Sequence, residues 1–344
     1  MAPLLVLGML TGCTGPAVLS NGRGTYNAVI NRTEDEQILS MIVRQRYDET
    51  YGLLAVSSVT ASIRVGATLG ANVGIGSRSG YEGNLVPLSA GATYEEDPTI
   101  SYVPLRGEQF VERMLAPISA EQTLLLGRMS SDETEAMRML VRRANGLANP
   151  LYAPTRSGPE FDRFIELYAS LRDQGVLDVV RTDAGKYEAL CHDYSSEQGV
   201  KVAELLDVLG IQHVIEQKAD VRVPLRFFVG SARGGGIDLE TPSALEVIEA
   251  AGIGVEVPGV HLAEGIVRTS AADATQRFLA VHSSSKRPDD AAVAVLHRGW
   301  WFFIDARDAR SKQSFMILRT LIGLRLDDAN RRQEAPVLVV PVGG

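Results

Sequence analysis

An apolar run, Leu4 to Leu10, closes on Leu10-Thr11-Gly12-Cys13. A leucine three residues before a cysteine, with small residues between them, has the form of the lipobox at which bacterial lipoprotein signal peptides are cleaved. That reading removes residues 1–12 from the fold, because a short apolar segment ending at a small-residue cleavage site is a targeting element. It makes Cys13 an acylated N-terminus and consumes one of only two cysteines. Cys191 then has no thiol to pair with, so an internal disulfide is excluded and stability has to come from a buried core. The competing reading of the segment is a short N-terminal strand with a buried cysteine. Thr14 stands where an aspartate would resemble the inner-membrane retention signal, so the expected address is the periplasmic face of the outer membrane. No later apolar stretch is long enough to span a bilayer. Lipid would be the only membrane bond, firm because several acyl chains each contribute roughly 0.8 kcal/mol per buried methylene.

The chain has 344 residues, 45% hydrophobic and 22% charged, enough for one large or two smaller domains. A formal charge of −8 argues against nucleic acid and against recruitment by anionic headgroups, both of which need a dense cationic face. The basic pairs Arg142-Arg143 and Arg331-Arg332 read as solvated helix ends. Cys191, in Glu188-Ala189-Leu190-Cys191, reads as a small buried hydrophobe rather than a nucleophile.

Gly15, Pro16, Asn21, Gly22 and Gly24 predict a flexible tether over residues 13–25. Two regions follow, 26–150 and 151–344, divided at the breaks Asn149-Pro150 and Ala153-Pro154. Thr33-Glu34-Asp35-Glu36 has the form of a capping box, with a helix expected from Thr33 to Tyr47. Leu53 to Val65 has strand composition, and Leu85 to Tyr94 with Thr99 to Val103 suggests a hairpin turning at Glu95-Glu96-Asp97-Pro98. Helices are expected over Gly107–Ala116, from Ser119, over Ser131–Gly146, from Pro159 to about Gln174, over Glu197–Leu209, and from Thr241-Pro242 through Ala251. Strands are expected over Val176–Arg181, Tyr187–Cys191, Asp220–Val229, Arg277–His282, Ala291–His297 and Trp300–Ile304, the last two joined through Arg298-Gly299. Asp308 opens a helix with an apolar stripe of Phe315, Leu318, Ile322 and Leu326, and Pro336–Pro341 closes as an edge strand. Strands mixed with helices, without strict alternation, give an α+β class of antiparallel sheets with packed helices.

Gly74, Gly76 and Gly80 miss the dinucleotide spacing by one residue and read as bulges or a hairpin. Ser283 and Lys286 satisfy Ser-x-x-Lys, but the partner motifs of that chemistry are missing and a polar loop accounts for the match. His282 and His297, on neighbouring strands with Asp305 nearby, form the one constellation that suggests a hydrolase or metal site; turn and cap roles for Asp289, Asp290 and Asp308 explain the acids equally. Trp300-Trp301-Phe302-Phe303 holds both tryptophans of the chain. In a strand, Trp300 and Phe302 point one way and Trp301 and Phe303 the other, so one pair is core. The other pair is either covered by the Asp308 helix or available to a partner.

Two blocks resemble a family of Gram-negative bacterial envelope lipoproteins that carries no assigned activity. One comprises Tyr26-Asn27, Glu36 to Tyr47 and Leu54 to Ser62. The other comprises His282-Ser283-Ser284, Pro288-Asp289-Asp290, Arg298 to Asp305, Asp308, Ser311 and Lys312. The resemblance spans both ends of the chain and implies location and shared architecture, with no catalytic residue to carry over. The expectation is a lipid-anchored, non-catalytic scaffold or assembly component of an envelope complex, with Cys13 lipidated and Trp300, Trp301, Phe302 and Phe303 available to protein partners, and with no cofactor. The alternative is a periplasmic hydrolase at His282, His297 and Asp305.

Overall fold

The computed structural model describes residues 15–50, 53–71, 88–105, 108–130, 132–153, 158–212, 219–228, 234–267, 277–330 and 338–341. The lipobox with Cys13, the glycines at 74, 76 and 80, and Arg331-Arg332 lie outside them. The fold is α+β. It divides into two compact units, residues 1–52 with 106–328, and residues 53–105 with 329–344. The expected break near residue 150 therefore falls inside one unit, because strands on either side of it share a sheet.

Helix α1 runs from Gly15 to Arg46, so the segment read as a tether is helical from Gly15 onward. Thr33 sits inside this helix rather than capping it, its hydroxyl donating to the Ile30 carbonyl at 2.8 Å. The apolar residues found by their spacing, Ile38, Leu39, Ile42 and Val43, are buried. Strands β1 (Leu53–Ala71) and β2 (Leu88–Leu105) form one long antiparallel pair in the second unit. Glu95 to Pro98 do not turn: Glu96 pairs with Ile63 and Pro98 with Ala61 in mid-strand.

In the larger unit, α2 (Glu108–Leu115) stops before Pro117, and α3 (Ala120–Met129) opens with the Ser119 capping box read from the sequence. The next helix, α4 (Glu133–Leu140), ends six residues before the expected Gly146. Instead β3 (Arg143–Ala144) and β4 (Leu147–Ala148) form a hairpin around Asn145-Gly146, both at positive φ, 45° and 93°. Asn-Gly is the strongest short hairpin signal because both turn positions require that left-handed backbone. Helical spacing upstream obscured it.

Helix α5 (Pro159–Asp173), β5 (Leu177–Arg181), β6 (Tyr187–Cys191), α6 (Ser196–Val208) and β7 (Val221–Phe227) follow the expected order. The unanticipated β8 (Ile237–Glu240) pairs parallel with β7 and completes a six-stranded sheet ordered β4-β3-β8-β7-β6-β5. Phe161, Phe164, Ile165 and Leu171 of α5 and Val202, Leu205 and Leu206 of α6 pack with Ala189, Cys191, Val223, Leu225 and Leu239 as one core. The sheet's opposite face is polar. Asp238 and Glu240 are buried there, and Arg142 and Arg143 both pair with Glu240, at 2.9 and 3.5 Å, so this basic pair is an internal counter-charge rather than a solvated helix end.

Burial in that core pushes the Cys191 thiol up to about 11, which leaves almost no thiolate at neutral pH. A polar thiol reagent should therefore modify native Cys191 only as fast as the protein opens, and reaction at the rate of an exposed thiol would contradict this placement.

Helix α7 (Ala244–Ile253) begins at a Ser243–Glu246 capping box, not at Thr241, whose hydroxyl donates to the Ile118 carbonyl. It packs on α1. Gly254 then passes so close to the Leu279 carbonyl that a Cβ would lie 1.7 Å from its oxygen. After α8 (Gly259–Ala263) come β9 (His282–Ser284), β10 (Ala291–His297) and β11 (Trp300–Asp305). The strand expected over Arg277–His282 is thus displaced to His282–Ser284. Arg298 and Gly299, at φ 47° and 81°, make the predicted tight turn. Helix α9 (Ala309–Asn330) starts after Asp308, which accepts from the Ser311 amide. β12 (Leu338–Pro341) pairs with β2 as an edge strand of the second unit.

Candidate functional site

The β9–β11 sheet carries all the residues on which the two functional expectations turned. β11 lies in the middle, with β10 along one side and β9 along the other. Directly opposed residues share a face. Val293 opposes Ile304, Val295 opposes Phe302 and His297 opposes Trp300, which defines an inner face. Ala294 and His282 oppose Phe303, while Leu296 and Ser284 oppose Trp301, which defines an outer one.

The inner face is core. Phe302 and Ile304 are fully buried, and Trp300 stands half-buried at the end of the row. The element that closes it is α1, which packs on β10 and sends Tyr47 edge-on against Phe302 at 5.9 Å between centroids. The Asp308 helix was expected to pack on this hairpin, over the pair left outside the core unless that pair is available to a partner. Its polar contacts instead run to α1, through Arg319 to Glu34 and Asp35, and to α4, through Arg310 to Glu135. The hairpin was legible in local patterning, whereas the packing of α1 on it was not.

On the outer face Leu296 is 59% exposed. Trp301 and Phe303 are half-buried, the first under the Arg287 guanidinium at 5.2 Å and the second beside the His282 ring at 5.7 Å. The four aromatics are therefore split as the alternation requires, and Trp301 and Phe303 are the pair that remains reachable.

His282 and His297 lie on opposite faces and opposite edges of this sheet, so the catalytic constellation is not assembled. His282 faces Glu256 at 3.5 Å, and Asp305 accepts from the Arg307 amide at 2.7 Å, a turn role. Ser283 lies in β9, and the Lys286 amide donates to Ser284. Among the described residues no three His, Cys, Asp or Glu side chains form a group able to hold a metal.

What the fold does assemble is a knot at the end of α1 that spacing did not reveal. Asp48 adopts the left-handed conformation, φ 54°, and the Glu49 amide folds back to the Arg44 carbonyl at 2.9 Å. Such a helix end satisfies terminal carbonyls and reverses the chain. It delivers Glu49 to Arg298 of the β-turn at 2.7 Å and to His297 Nε2 at 3.4 Å. Tyr47 stacks edge-on with His297 and His261, and its hydroxyl lies 2.7 Å from His261 Nδ1. Burial pushes the Tyr47 phenol up to about 12, so it stays protonated at neutral pH. Tyr47 and His261 are 214 positions apart, and nothing local marks them as partners.

Burial lowers the His297 imidazole below its ordinary 6.5; Glu49 opposes the shift, and Arg44, Arg298 and His261 reinforce it. Glu49 is itself below 4.5: burial raises it, but the Arg298 hydrogen bond and the charges of His297, Arg298 and Arg44 outweigh that. A base whose folded pKa is depressed binds its proton more readily when unfolded, so stability falls as pH drops below about 6.5. Wild type should therefore lose more stability than His297→Gln between about pH 7 and 5. His192, its pKa raised by hydrogen bonds to Asp178 and Asp193, has the opposite sign but is common to both proteins. Parallel stability–pH curves would refute the buried neutral imidazole.

No family model matches the chain, and neither a curated protein nor a solved structure matches it.

Proposed function

We propose that this chain is a lipid-anchored periplasmic protein of the outer membrane, acting non-catalytically as a scaffold or assembly component of an envelope complex. The observation that carries the reading is the outer face of the β9–β11 sheet. Trp301, Phe303 and Leu296 form a row on a sheet whose inner face buries Val293, Phe302 and Ile304. Aromatic side chains on a preformed surface, with an arginine beside them, are the groups that dominate protein interfaces. The separation of His282 from His297 favours this reading over a hydrolase. The lipobox at Cys13 and the two blocks similar to envelope lipoproteins support the address.

The test is photo-crosslinking in cells from a reactive residue at Leu296, the exposed member of the row. Discrete envelope-protein adducts, lost when Trp301 and Phe303 are both alanine, are expected. Crosslinks that are absent, or that persist unchanged in the double variant, would reject the surface.

A further inference from the structure

The polar face of the six-stranded sheet borders a cavity of about 740 Å³, lined among others by Lys186, Pro224, Arg226, Phe228, Asp238 and Ala120 of α3. That size is within the range of small-molecule sites, roughly 300–1,000 Å³. Tyr187 pairs with Leu225 at the end of β6, and Lys186, the residue before it, lines the same cavity as Arg226. Arg226 in turn pairs with Asp238 on the parallel strand. The cavity wall therefore holds an ammonium, a guanidinium and a carboxylate.

Its members are not equally satisfied. Asp238 is 1% exposed and receives Arg226 Nε at 2.5 Å; Arg226 Nη2 donates to the Gly234 carbonyl at 2.7 Å. The Asp238 amide donates to the Asn145 side chain, which is itself tied to the Leu209 and Gly236 carbonyls, so the buried anchor is fixed by the Asn-Gly turn. These bonds orient the guanidinium and leave Nη1 without an acceptor among the described residues. The Lys186 ammonium has no ion pair among them either, and Glu188 beside it is matched by Arg222 at 3.6 Å. Two cations in one cavity wall repel, and an arginine held by a buried carboxylate presents its remaining donors to an anion at little entropic cost. Pro224 and Phe228 fall on the same face as Arg226, because they alternate with it by two residues.

We infer that this cavity binds a small organic anion, one carboxylate on an apolar group, with the carboxylate between Lys186 and Arg226 and the apolar part against Pro224 and Phe228. The site lies on a different sheet from the proposed partner surface and does not depend on it.

The test is calorimetric titration of the purified full chain with octanoate and decanoate, using 1-octanol and inorganic phosphate as controls. Saturable binding of both carboxylates is expected, with decanoate several-fold tighter. Lys186→Gln should weaken binding about tenfold, and Phe228→Ser should weaken decanoate more than octanoate. Lys186 is exposed, so an unchanged melting temperature for Lys186→Gln separates lost binding from lost structure. Octanol binding as tightly as octanoate would overturn the charge argument, and phosphate binding as tightly would overturn the apolar one. Failure of either carboxylate to saturate, or equal affinity in Lys186→Gln, would overturn the site.

Discussion

Phe302→Ala should destabilise the protein by about 3–5 kcal/mol, the usual cost of emptying a buried aromatic position. Phe302 is fully buried, opposes Val295 on β10 and meets the Tyr47 ring from α1. Its loss therefore opens a cavity between a sheet and the helix end that holds Glu49 and the Arg298 turn. That is a large share of the stability of an ordinary domain. Trp301→Ala and Phe303→Ala act on the other side of the same strand, where the rings are half-buried under Arg287 and beside His282. They should lower the melting temperature far less while removing crosslinked partners. Urea denaturation of each variant, run beside the crosslinking, separates the two effects. Equal destabilisation from both faces, without selective loss of partners, would mean that the outer aromatics serve only the fold.

The second large effect concerns the N-terminus. Cys13→Ala should abolish incorporation of a fatty-acid probe and shift the protein from the membrane to the soluble fraction. The expected change is close to complete, because in this reading the acyl chains supply the attachment. A thioether-linked diacylglycerol and an amide-linked chain would anchor a mature lipoprotein where one chain alone gives marginal attachment. Continued labelling and sedimentation of the variant with membranes would refute the lipid address. The partner surface would then still be tested separately by its crosslinks.

Local features proved legible wherever the physics was local. Ser119 and Asp308 start helices because a side-chain oxygen within three residues accepts the free amides of the first turn. Arg298-Gly299 makes a hairpin because both residues adopt positive φ. The α+β class followed from a count of such segments. Misreadings arose where one local signal overrode another, as at Asn145-Gly146, where helical spacing was extended through a turn. At Glu95 to Pro98 turn-forming residues were absorbed into a long pairing, since the register of β1 and β2 satisfies the backbone on either side of them.

Local patterning was enough for most of the segmentation and for the alternation that splits Trp301 and Phe303 from Trp300 and Phe302. Those depend on the repeat of a helix or strand and on neighbours within a few residues. Which face is core follows from long-range packing, in which α1 lies against β10. The tertiary structure also separated His282 from His297 and brought Tyr47, Glu49, His261 and His297 together. It placed Lys186 in one cavity wall with Arg226 and the buried Asp238. Strand pairing and helix packing join residues far apart in the chain, and the free energy that selects them comes from burial and ion pairing summed over the whole unit.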